Sequence, residues 1–143
     1  MKTLRQLLDD KSKELASIQP DQTVLDALHL MAKNDVGALL VLEGKHLAGV
    51  FSERDYARKM ILQGKSSPHT KVRDVMTGKV FYVTLSSTIE ECMEIMTEKH
   101  VRHLPVLDAQ HEVIGIVSIG DVVKETISQQ QIIISQMERY IAG

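Results

Sequence analysis

Two copies of a Ser-x-x-Asp pattern are the residues of this chain best suited to binding chemistry. Ser52 stands three positions before Asp55, Ser118 stands three before Asp121, and each pair follows a short apolar run that begins with glycine. This arrangement predicts a strand that ends at the serine and a helix that begins directly after it. Backbone N–H groups at a helix N-terminus attract anions, and a carboxylate beside them accepts bonds from hydroxyl groups. Each copy is therefore a candidate site for a phosphate or a ribose diol.

A capping box is the simpler explanation of either copy taken alone. In that motif the serine side chain accepts a bond from the backbone N–H of the aspartate, and the aspartate bonds back to the serine N–H. The cap satisfies groups that every helix start leaves unpaired, so it needs no ligand. The choice between cap and binding site depends on whether the copies belong to a larger repeated unit.

The two halves of the chain are copies of one unit. A shift of 65 residues superimposes threonine and apolar positions, and one extra residue in the second loop brings the two motifs into register. The matched pairs are Thr23 with Thr88, Met31 with Met96, Val36 with Val101, Leu39 with Leu104, Val41 with Val106, Leu42 with Leu107, Gly49 with Gly115, Ser52 with Ser118 and Asp55 with Asp121. This period indicates an internal duplication.

Composition and charge exclude several classes of protein. The chain has 143 residues, of which 43% are hydrophobic and 25% charged, as is usual for a globular protein. Its formal net charge is -2 and it has no run of lysine and arginine, so we expect no nucleic acid as partner. The apolar runs are too short to span a bilayer, and residues 1–10 turn acidic where a signal peptide needs an apolar core. We therefore expect neither a membrane partner nor secretion.

Cys92 is the only cysteine, so the chain cannot form an internal disulfide and a reducing compartment is expected. It lies in an acidic helical pattern with no group nearby that would lower its pKa. We interpret it as a packed thiol and not as a nucleophile.

Hydrophobic periodicity predicts the same order of elements in both halves. In the first half we expect a helix from residue 3 to about 13, an extended piece at 17–20, a helix at 23–34, strands at 38–42 and 47–51, and a helix at 52–62. In the second half we expect a helix or turn at 71–76, strands at 81–84, 102–107 and 113–117, and helices from 88 and at 119–131. Pro105 argues for the edge of a sheet or the start of a strand, because proline has no N–H to donate.

Linker composition divides the chain. Residues 65–71 contain two serines and a proline and separate a first repeat with its N-terminal helix, 1–64, from a second repeat, 72–131. A helical tail follows at 132–143, with an apolar stripe through Ile133, Ile134, Met137 and Ile141. Such a stripe must pack either on the chain's own repeats or on a partner. We expect a homodimer in which helices of both repeats pack against their mates.

A strand-helix-strand-strand-helix unit made twice, each time ending in Gly-h-h-Ser-x-x-Asp with h apolar, resembles a tandem pair of CBS domains, the Bateman module. The run Arg102-His103-Leu104-Pro105-Val106 is similar to that family as well. The run from Ser52 to Lys59 and the tail Ile134-Ser135-Gln136 look like stand-alone CBS-pair proteins of bacteria and mitochondria. The resemblance covers nearly the whole chain. It implies an α/β (α+β) fold of two pseudo-symmetric repeats, each a small sheet with two helices on one face, plus N- and C-terminal helices. It also implies a bacterial cytoplasmic or mitochondrial matrix location.

The resemblance implies a regulatory module that binds an adenine nucleotide in the cleft between its repeats and signals this to a partner protein. The ligands it implies are AMP, ADP, ATP or NAD, and S-adenosylmethionine after these. In the family the motif aspartate holds the ribose hydroxyls and the serine lies near the phosphate. Carried over, these roles fall to Asp55 with Ser52 and to Asp121 with Ser118, adenine contact falls to Ile18 and Val83, and the cleft lining falls to Ala38 and His103.

The two clefts differ in charge. After the first serine come Glu53, Arg54, Arg58 and Lys59, whereas Ile119, Gly120, Lys124 and Glu125 follow the second. We expect the Asp55 cleft to prefer the ligand with more phosphate charge, unless these cations belong only to a solvated helix face. Arg102 and His103 are further candidates for phosphate contact, unless they form only a solvated strand end. Pro105 of the same strand completes the predicted set.

Two other functions stay open at this stage. A dimerisation scaffold whose Ser-x-x-Asp motifs are only caps needs no ligand, and a nucleotide-acting enzyme needs an activated nucleophile, an acid/base pair or a metal. None of these emerges from the residues, so we predict no catalysis. His69, His100 and His103 have no cysteine or carboxylate at ligand spacing, so we predict no metal.

Overall fold

The protein is described from a computed structural model, which places residues 2–9 and 16–142. The α-helices are α1 (Leu4–Asp9), α2 (Val24–Asn34), α3 (Glu53–Asp55), α4 (Ile89–Lys99) and α5 (Ile119–Ala142). The strands are β1 (Ser17–Ile18), β2 (Ala38–Glu43), β3 (His46–Ser52), β4 (His103–Leu107) and β5 (Val113–Ser118). A π-helix spans Tyr56–Ile61, and 3-10 helices span Ser67–His69 and Val72–Asp74. The last part of the predicted first helix, residues 10–13, lies outside the described residues.

The first sheet has the order β1-β2-β3, with β1 parallel and β3 antiparallel to the central strand β2. The first four residues of β2 are all buried, because helices and neighbouring strands cover both of its faces. This confirms the prediction made from its continuous apolar run.

The second sheet contains β4 and β5, paired antiparallel. The strand predicted at 81–84 is reduced to one parallel bridge between Val83 and Val106. Val83 is buried, whereas Phe81 and Tyr82 before it are exposed and give no apolar alternation that would hold a longer strand. The carbonyl of Pro105 accepts the Val83 N–H at 3.0 Å, on the side of β4 away from β5. β4 is an outer strand of this two-stranded sheet, as predicted for the strand of Pro105, but Val83 bonds to its outer side.

The internal duplication is reproduced in the backbone. The ladder of the first hairpin shifts register between Val41 and Leu42, and the ladder of the second shifts between Val106 and Leu107. Helices α2 and α4 both end at a left-handed residue, with φ of 52° at Asp35 and 54° at His100. Equivalent irregularities at equivalent positions indicate that both halves have the same fold.

The first segment of each repeat packs into the core of the other repeat. Leu4 and Leu7 of α1 join the apolar cluster formed by α4, β4 and β5. Val72 and Val75 join the cluster formed by α2, β2 and β3. Each core is therefore completed by a segment from across the molecule.

The helix that begins after Ser52 differs from the prediction. It is α-helical only over Glu53–Asp55 and then continues as the π-helix Tyr56–Ile61, in which the Leu62 N–H donates to the Ala57 carbonyl at 3.4 Å. The apolar spacing of this segment does not distinguish bonds to the fifth preceding residue from bonds to the fourth.

Helix α5 is continuous where the sequence predicted a helix to residue 131 and a separate tail. It runs for 24 residues because no glycine or proline interrupts it after Gly120 in its first turn. Only Val122 is buried, and every residue from 130 to 142 is exposed. Among the described residues no helix is both long and apolar enough to cross a membrane.

Candidate functional site

The first motif forms a complete capping box. Strand β3 ends at Ser52, whose backbone is extended with φ -123° and ψ 165°. The Asp55 N–H donates to Ser52 Oγ at 3.2 Å, and the Ser52 N–H donates back to Asp55 Oδ2 at 2.9 Å. The Glu53 N–H donates to the Gly37 carbonyl at 3.0 Å, which holds the helix start against the beginning of β2.

The carboxylate of Asp55 has further donors. Thr77 Oγ1 donates to Oδ1 at 2.9 Å, Lys59 Nζ lies 3.0 Å from the same oxygen, and Ser52 Oγ adds a bond to Oδ2 at 3.0 Å. Among the described residues Asp55 is the only buried charged side chain, with 7% of its surface exposed. Burial of a carboxylate requires such bonding, because leaving it unpaired would be very costly.

The second motif repeats the cap. The Asp121 N–H donates to Ser118 Oγ at 3.1 Å, and the Ser118 N–H donates to Asp121 Oδ2 at 2.8 Å. The Ile119 N–H donates to the Arg102 carbonyl at 2.8 Å, equivalent to the bond between Glu53 and Gly37. Asp121 is only partly buried.

Two predicted strand residues lie directly opposite the motif serines. Ala38 pairs with Ser52 across β2 and β3, and His103 pairs with Ser118 across β4 and β5. The fold thus joins the start of a strand, a helix N-terminus and a carboxylate at one end of each hairpin. Ala38 is buried and His103 is partly buried, so the second site is the more accessible of the two.

The predicted adenine contacts lie further along the strands. Ile18 pairs with Val41, and Val83 pairs with Val106. Val41 lies three residues after Ala38, and Val106 lies three residues after His103. Three residues correspond to about 10 Å along a strand. The side chains of Ile18 and Val83 are each 3% exposed and belong to the two apolar cores. Their contact with a ligand stays a prediction.

Two cations of the first motif are engaged with the protein. Arg54 Nη1 donates to the His100 carbonyl at 3.4 Å and so reaches the end of α4 in the other repeat. Lys59 Nζ, besides its ion pair with Asp55, donates to the Met76 carbonyl at 3.5 Å. Arg58 is exposed, and Glu53 lies beside Gly37.

The remaining predicted residues belong to the second repeat. Arg102, Ile119 and Gly120 are exposed, with Arg102 before β4 and the other two in the first turn of α5. Pro105 is buried in the middle of β4, two residues along the strand from His103. Contact with a ligand stays a prediction for Pro105 and for all sixteen predicted residues.

Cys92 is packed in the second core, as predicted. It has no exposed surface, and burial, followed by the charge of Glu91, raises the pKa of its thiol to about 11. The thiolate needed for nucleophilic attack is therefore strongly disfavoured at neutral pH. In the part of the chain that the structure describes, no group of three or more histidine, cysteine and carboxylate side chains is arranged to hold a metal.

A cavity of about 260 Å³ lies at the opposite end of the hairpins from the two motifs. The Tyr82 and His111 rings meet there edge to face, with centroids 6.0 Å apart. The lining residues are His46, Leu47, Gly78, Val80, Tyr82, Leu107 and His111. No pattern in the sequence indicates this cavity, because its walls come from separate segments of both repeats.

Comparison with known proteins identifies the repeated unit. The family model of the CBS domain matches the chain twice, over residues 7–62 and 72–128. The CBS domain-containing protein CBSX3, mitochondrial, of Arabidopsis thaliana is 42% identical over 128 residues. That alignment covers 86% of this chain but only 62% of the Arabidopsis protein.

Solved structures show the same architecture. A protein with CBS domains from Burkholderia ambifaria is 46% identical, superimposes with a TM-score of 0.84, and is matched over 90% of this chain and 96% of its own. The CBS domain protein PAE2072 of Pyrobaculum aerophilum, solved in complex with AMP, has the same fold with a TM-score of 0.75. It is 23% identical, and the match covers 84% of this chain and 89% of that one. The chain therefore belongs to the CBS-domain family and consists of a pair of such domains.

Proposed function

We propose that the protein is a regulatory module that binds an adenine nucleotide at the Ser-x-x-Asp end of its hairpins. One observation carries this proposal: His103 lies opposite Ser118, beside the N-terminus of α5 and the partly exposed Asp121. Donors at a helix start suit a phosphate, and a neighbouring carboxylate suits a ribose diol. The AMP complex of the Pyrobaculum protein supports the proposal, because it shows that this fold can hold such a ligand.

The roles that we propose in the second repeat follow from this geometry. Asp121 accepts the ribose hydroxyls, and the Gly120 N–H in the first turn of α5 faces the phosphate. Arg102 and His103 at the start of β4 supply positive charge or donors to the same group. The ligand is AMP, ADP, ATP or NAD, and the same pocket chemistry extends to S-adenosylmethionine.

The proposed action is binding without catalysis. The only thiol is buried with a raised pKa, so it cannot serve as a nucleophile at neutral pH. A bound nucleotide would instead link the two repeats and alter the surface offered to a regulated protein partner. We propose a bacterial cytoplasmic or mitochondrial matrix location, and relatives from a bacterium and from mitochondria support this proposal.

A dimerisation scaffold is the second candidate, and two observations favour it. Both Ser-x-x-Asp pairs are satisfied as caps within the chain, and the end of α5 carries exposed apolar side chains. A helix face of this kind suits contact with a second copy of the chain. We propose a homodimer in either case, and only nucleotide binding separates the two candidates.

A thermal-shift screen tests the proposal. AMP, ADP, ATP, NAD, NADH and S-adenosylmethionine are added separately to the purified chain, with adenine-free ribose 5-phosphate as the control. A ligand that binds only the folded state adds about 2.7 kcal/mol of stability at a hundredfold excess over its dissociation constant. We expect at least one adenine ligand to raise Tm by several degrees while the control does not. If none of them raises Tm, the scaffold is the better description.

A further inference from the structure

We infer that the cavity at the hairpin tips, called the tip cavity below, is a second binding site, for a neutral aromatic ring that carries an N–H or a hydroxyl group. The inference goes beyond the proposed nucleotide site and does not depend on it, because the tip cavity lies at the other end of the strands from both Ser-x-x-Asp motifs. It is carried by the volume of the cavity, the chemistry of its walls and the bonds that hold those walls.

Three separate parts of the chain form the tip cavity. They are the start of the strand β3, the segment between the repeats, and the end of β4 with the turn after it. These parts contribute, in that order, His46 and Leu47, then Gly78, Val80 and Tyr82, then Leu107 and His111. A molecule in the tip cavity would therefore contact both repeats and the segment that joins them.

The apolar side chains are the more buried part of the lining. Leu107 is 5% exposed, and Leu47 and Val80 are half-buried. Covering them with an apolar ring is favourable in proportion to the area removed from water. The volume of about 260 Å³ exceeds that of an engineered apolar cavity of roughly 150 Å³ that binds benzene. A single ring or a fused pair of rings therefore fits.

The more exposed side chains of the lining supply hydrogen bonds and an aromatic face. Tyr82 and His111 meet edge to face at 6.0 Å, and Tyr82 is still 44% exposed, so part of its surface is open to a further ring. The imidazoles of His46 and His111 and the hydroxyl of Tyr82 can donate or accept hydrogen bonds. These groups suit the N–H or hydroxyl group of an aromatic ligand.

The charge of the lining favours a neutral ligand. Among the residues that the structure describes, none of those that line the tip cavity is a lysine, an arginine, an aspartate or a glutamate. An ionic ligand would lose water there without gaining an ion pair to a fixed charge, which is unfavourable. The tip cavity differs in this respect from the proposed phosphate site, where Arg102 is available.

Backbone bonds hold the walls in place before any ligand enters. The Lys45 carbonyl accepts the Val113 N–H at 3.3 Å and so joins the two hairpin tips. In the second turn Asp108 Oδ1 accepts the N–H groups of Gln110 and Glu112, both at 2.9 Å. A ligand that enters such a preformed site does not have to order the turns, which favours binding.

Titration of the isotopically labelled full chain with indole tests the inference, with benzoate as a charged aromatic control. We expect saturable amide shifts at Gly78, Tyr82 and His111, with a Kd on the order of 1 mM because so small a ligand makes few contacts. Benzoate should bind about tenfold more weakly, because its charge finds no partner. No saturable shift at about 10 mM indole, or benzoate binding as tight as that of indole, would overturn the inference.

Three variants separate the tip cavity from the surface beside it. Gly78→Val should fold and fill part of the cavity, because a Cβ added at Gly78 meets nothing within 4 Å. Tyr82→Leu removes an aromatic wall. Phe81→Leu is its matched control, because Phe81 is similarly exposed but contacts Lys99 and does not line the cavity.

The expected result is a loss confined to the lining residues. Gly78→Val and Tyr82→Leu should each weaken indole binding about fivefold, whereas Phe81→Leu should leave it unchanged. Equal weakening by Tyr82→Leu and Phe81→Leu would indicate binding to the exposed surface and overturn the inference. If Gly78→Val does not fold, the comparison of Tyr82→Leu with Phe81→Leu decides.

Competition with AMP distinguishes this inference from the proposed function. We expect indole to bind with the same affinity when AMP is present in excess. If AMP displaces indole, the tip cavity belongs to the nucleotide site and the inference is wrong. If the chain binds indole as described but binds no adenine nucleotide, the proposed function fails and the second site stands.

Discussion

At the scale of single residues, the glycines of the repeated motif are explained by close packing. A Cβ at Gly49 would lie 2.7 Å from the Thr77 carbonyl oxygen and 2.8 Å from Met76 Sδ. The nearest atoms to a Cβ at Gly115 are the two methyl carbons of Leu8, at 2.6 and 2.9 Å. The two positions therefore share a residue type for the same reason, but the obstacle at Gly49 includes rigid backbone.

This difference predicts unequal costs of substitution. Gly49→Ala should lower the free energy of unfolding by about 1–3 kcal/mol, because the backbone bridge between Val50 and Thr77 must move. Gly115→Ala should cost less, since Leu8 can change rotamer. Gly78→Ala is the matched control, because nothing lies within 4 Å of its added Cβ. Urea unfolding of the three variants measures this, and equal losses at Gly49 and Gly115 would contradict the packing argument.

The buried thiol predicts a dependence of stability on pH. The pKa of Cys92 is raised from 9.0 to about 11 in the folded chain, so the unfolded state loses its proton first as pH rises. The contribution of the protonated thiol to the free energy of unfolding is fully present below about pH 9. Between pH 9 and 11 the free energy of unfolding falls by on the order of 2 kcal/mol as this contribution is lost. Cys92→Ala should lack this loss, while the other titrating groups are shared and cancel in the comparison. Parallel pH profiles of parent and variant over this range would disprove it.

At the scale of elements, the starts of helices were predictable from the sequence. The type of helix and the extent of a strand were not, because they depend on backbone bonds to other parts of the chain. Ser52 and Ser118 were predicted to begin helices because a cap depends on residues three positions apart. The π-helix Tyr56–Ile61 was not predicted, since its apolar spacing also fits an α-helix. The strand at 81–84 was overestimated because aromatic residues favour strands. In the part of the chain that the structure describes, only Val83 of this stretch pairs with a strand.

The exposed apolar face of helix α5 is the predicted dimer interface. Ile133, Ile134, Met137, Tyr140 and Ile141 fall within about 120° of the helix circumference and are all at least 45% exposed. Ile134→Asp should break the dimer, because it places a charge in an apolar contact. Ser135→Asp lies on the opposite side of the same helix and is the matched control.

Analytical ultracentrifugation at micromolar concentration measures the result. We expect the parent and Ser135→Asp to sediment at twice the chain mass of 16.0 kDa and Ile134→Asp to sediment as a monomer. A monomeric parent would refute the homodimer, and a dimeric Ile134→Asp would place its interface elsewhere.

At the scale of the whole molecule, the duplication was predictable and the crossed packing was not. The repeated pattern predicted that His103 and Ser118 would be equivalent to Ala38 and Ser52, because hairpin register is set locally. The apolar stripe of α1 predicted burial but could not identify which core would receive it. The contact of Thr77 with Asp55 joins residues 22 positions apart in different elements, so no sequence period reveals it.

The central claim is that an adenine nucleotide binds beside Asp121. The most direct measurement is a titration of the isotopically labelled chain with AMP, followed by amide chemical shifts assigned to residues. The account predicts that the largest shifts occur at His103, Ser118 and Ile119, with much smaller changes at Ser52 and Glu53. Shifts confined to the Ser52 motif, or no shifts at millimolar AMP, would contradict it.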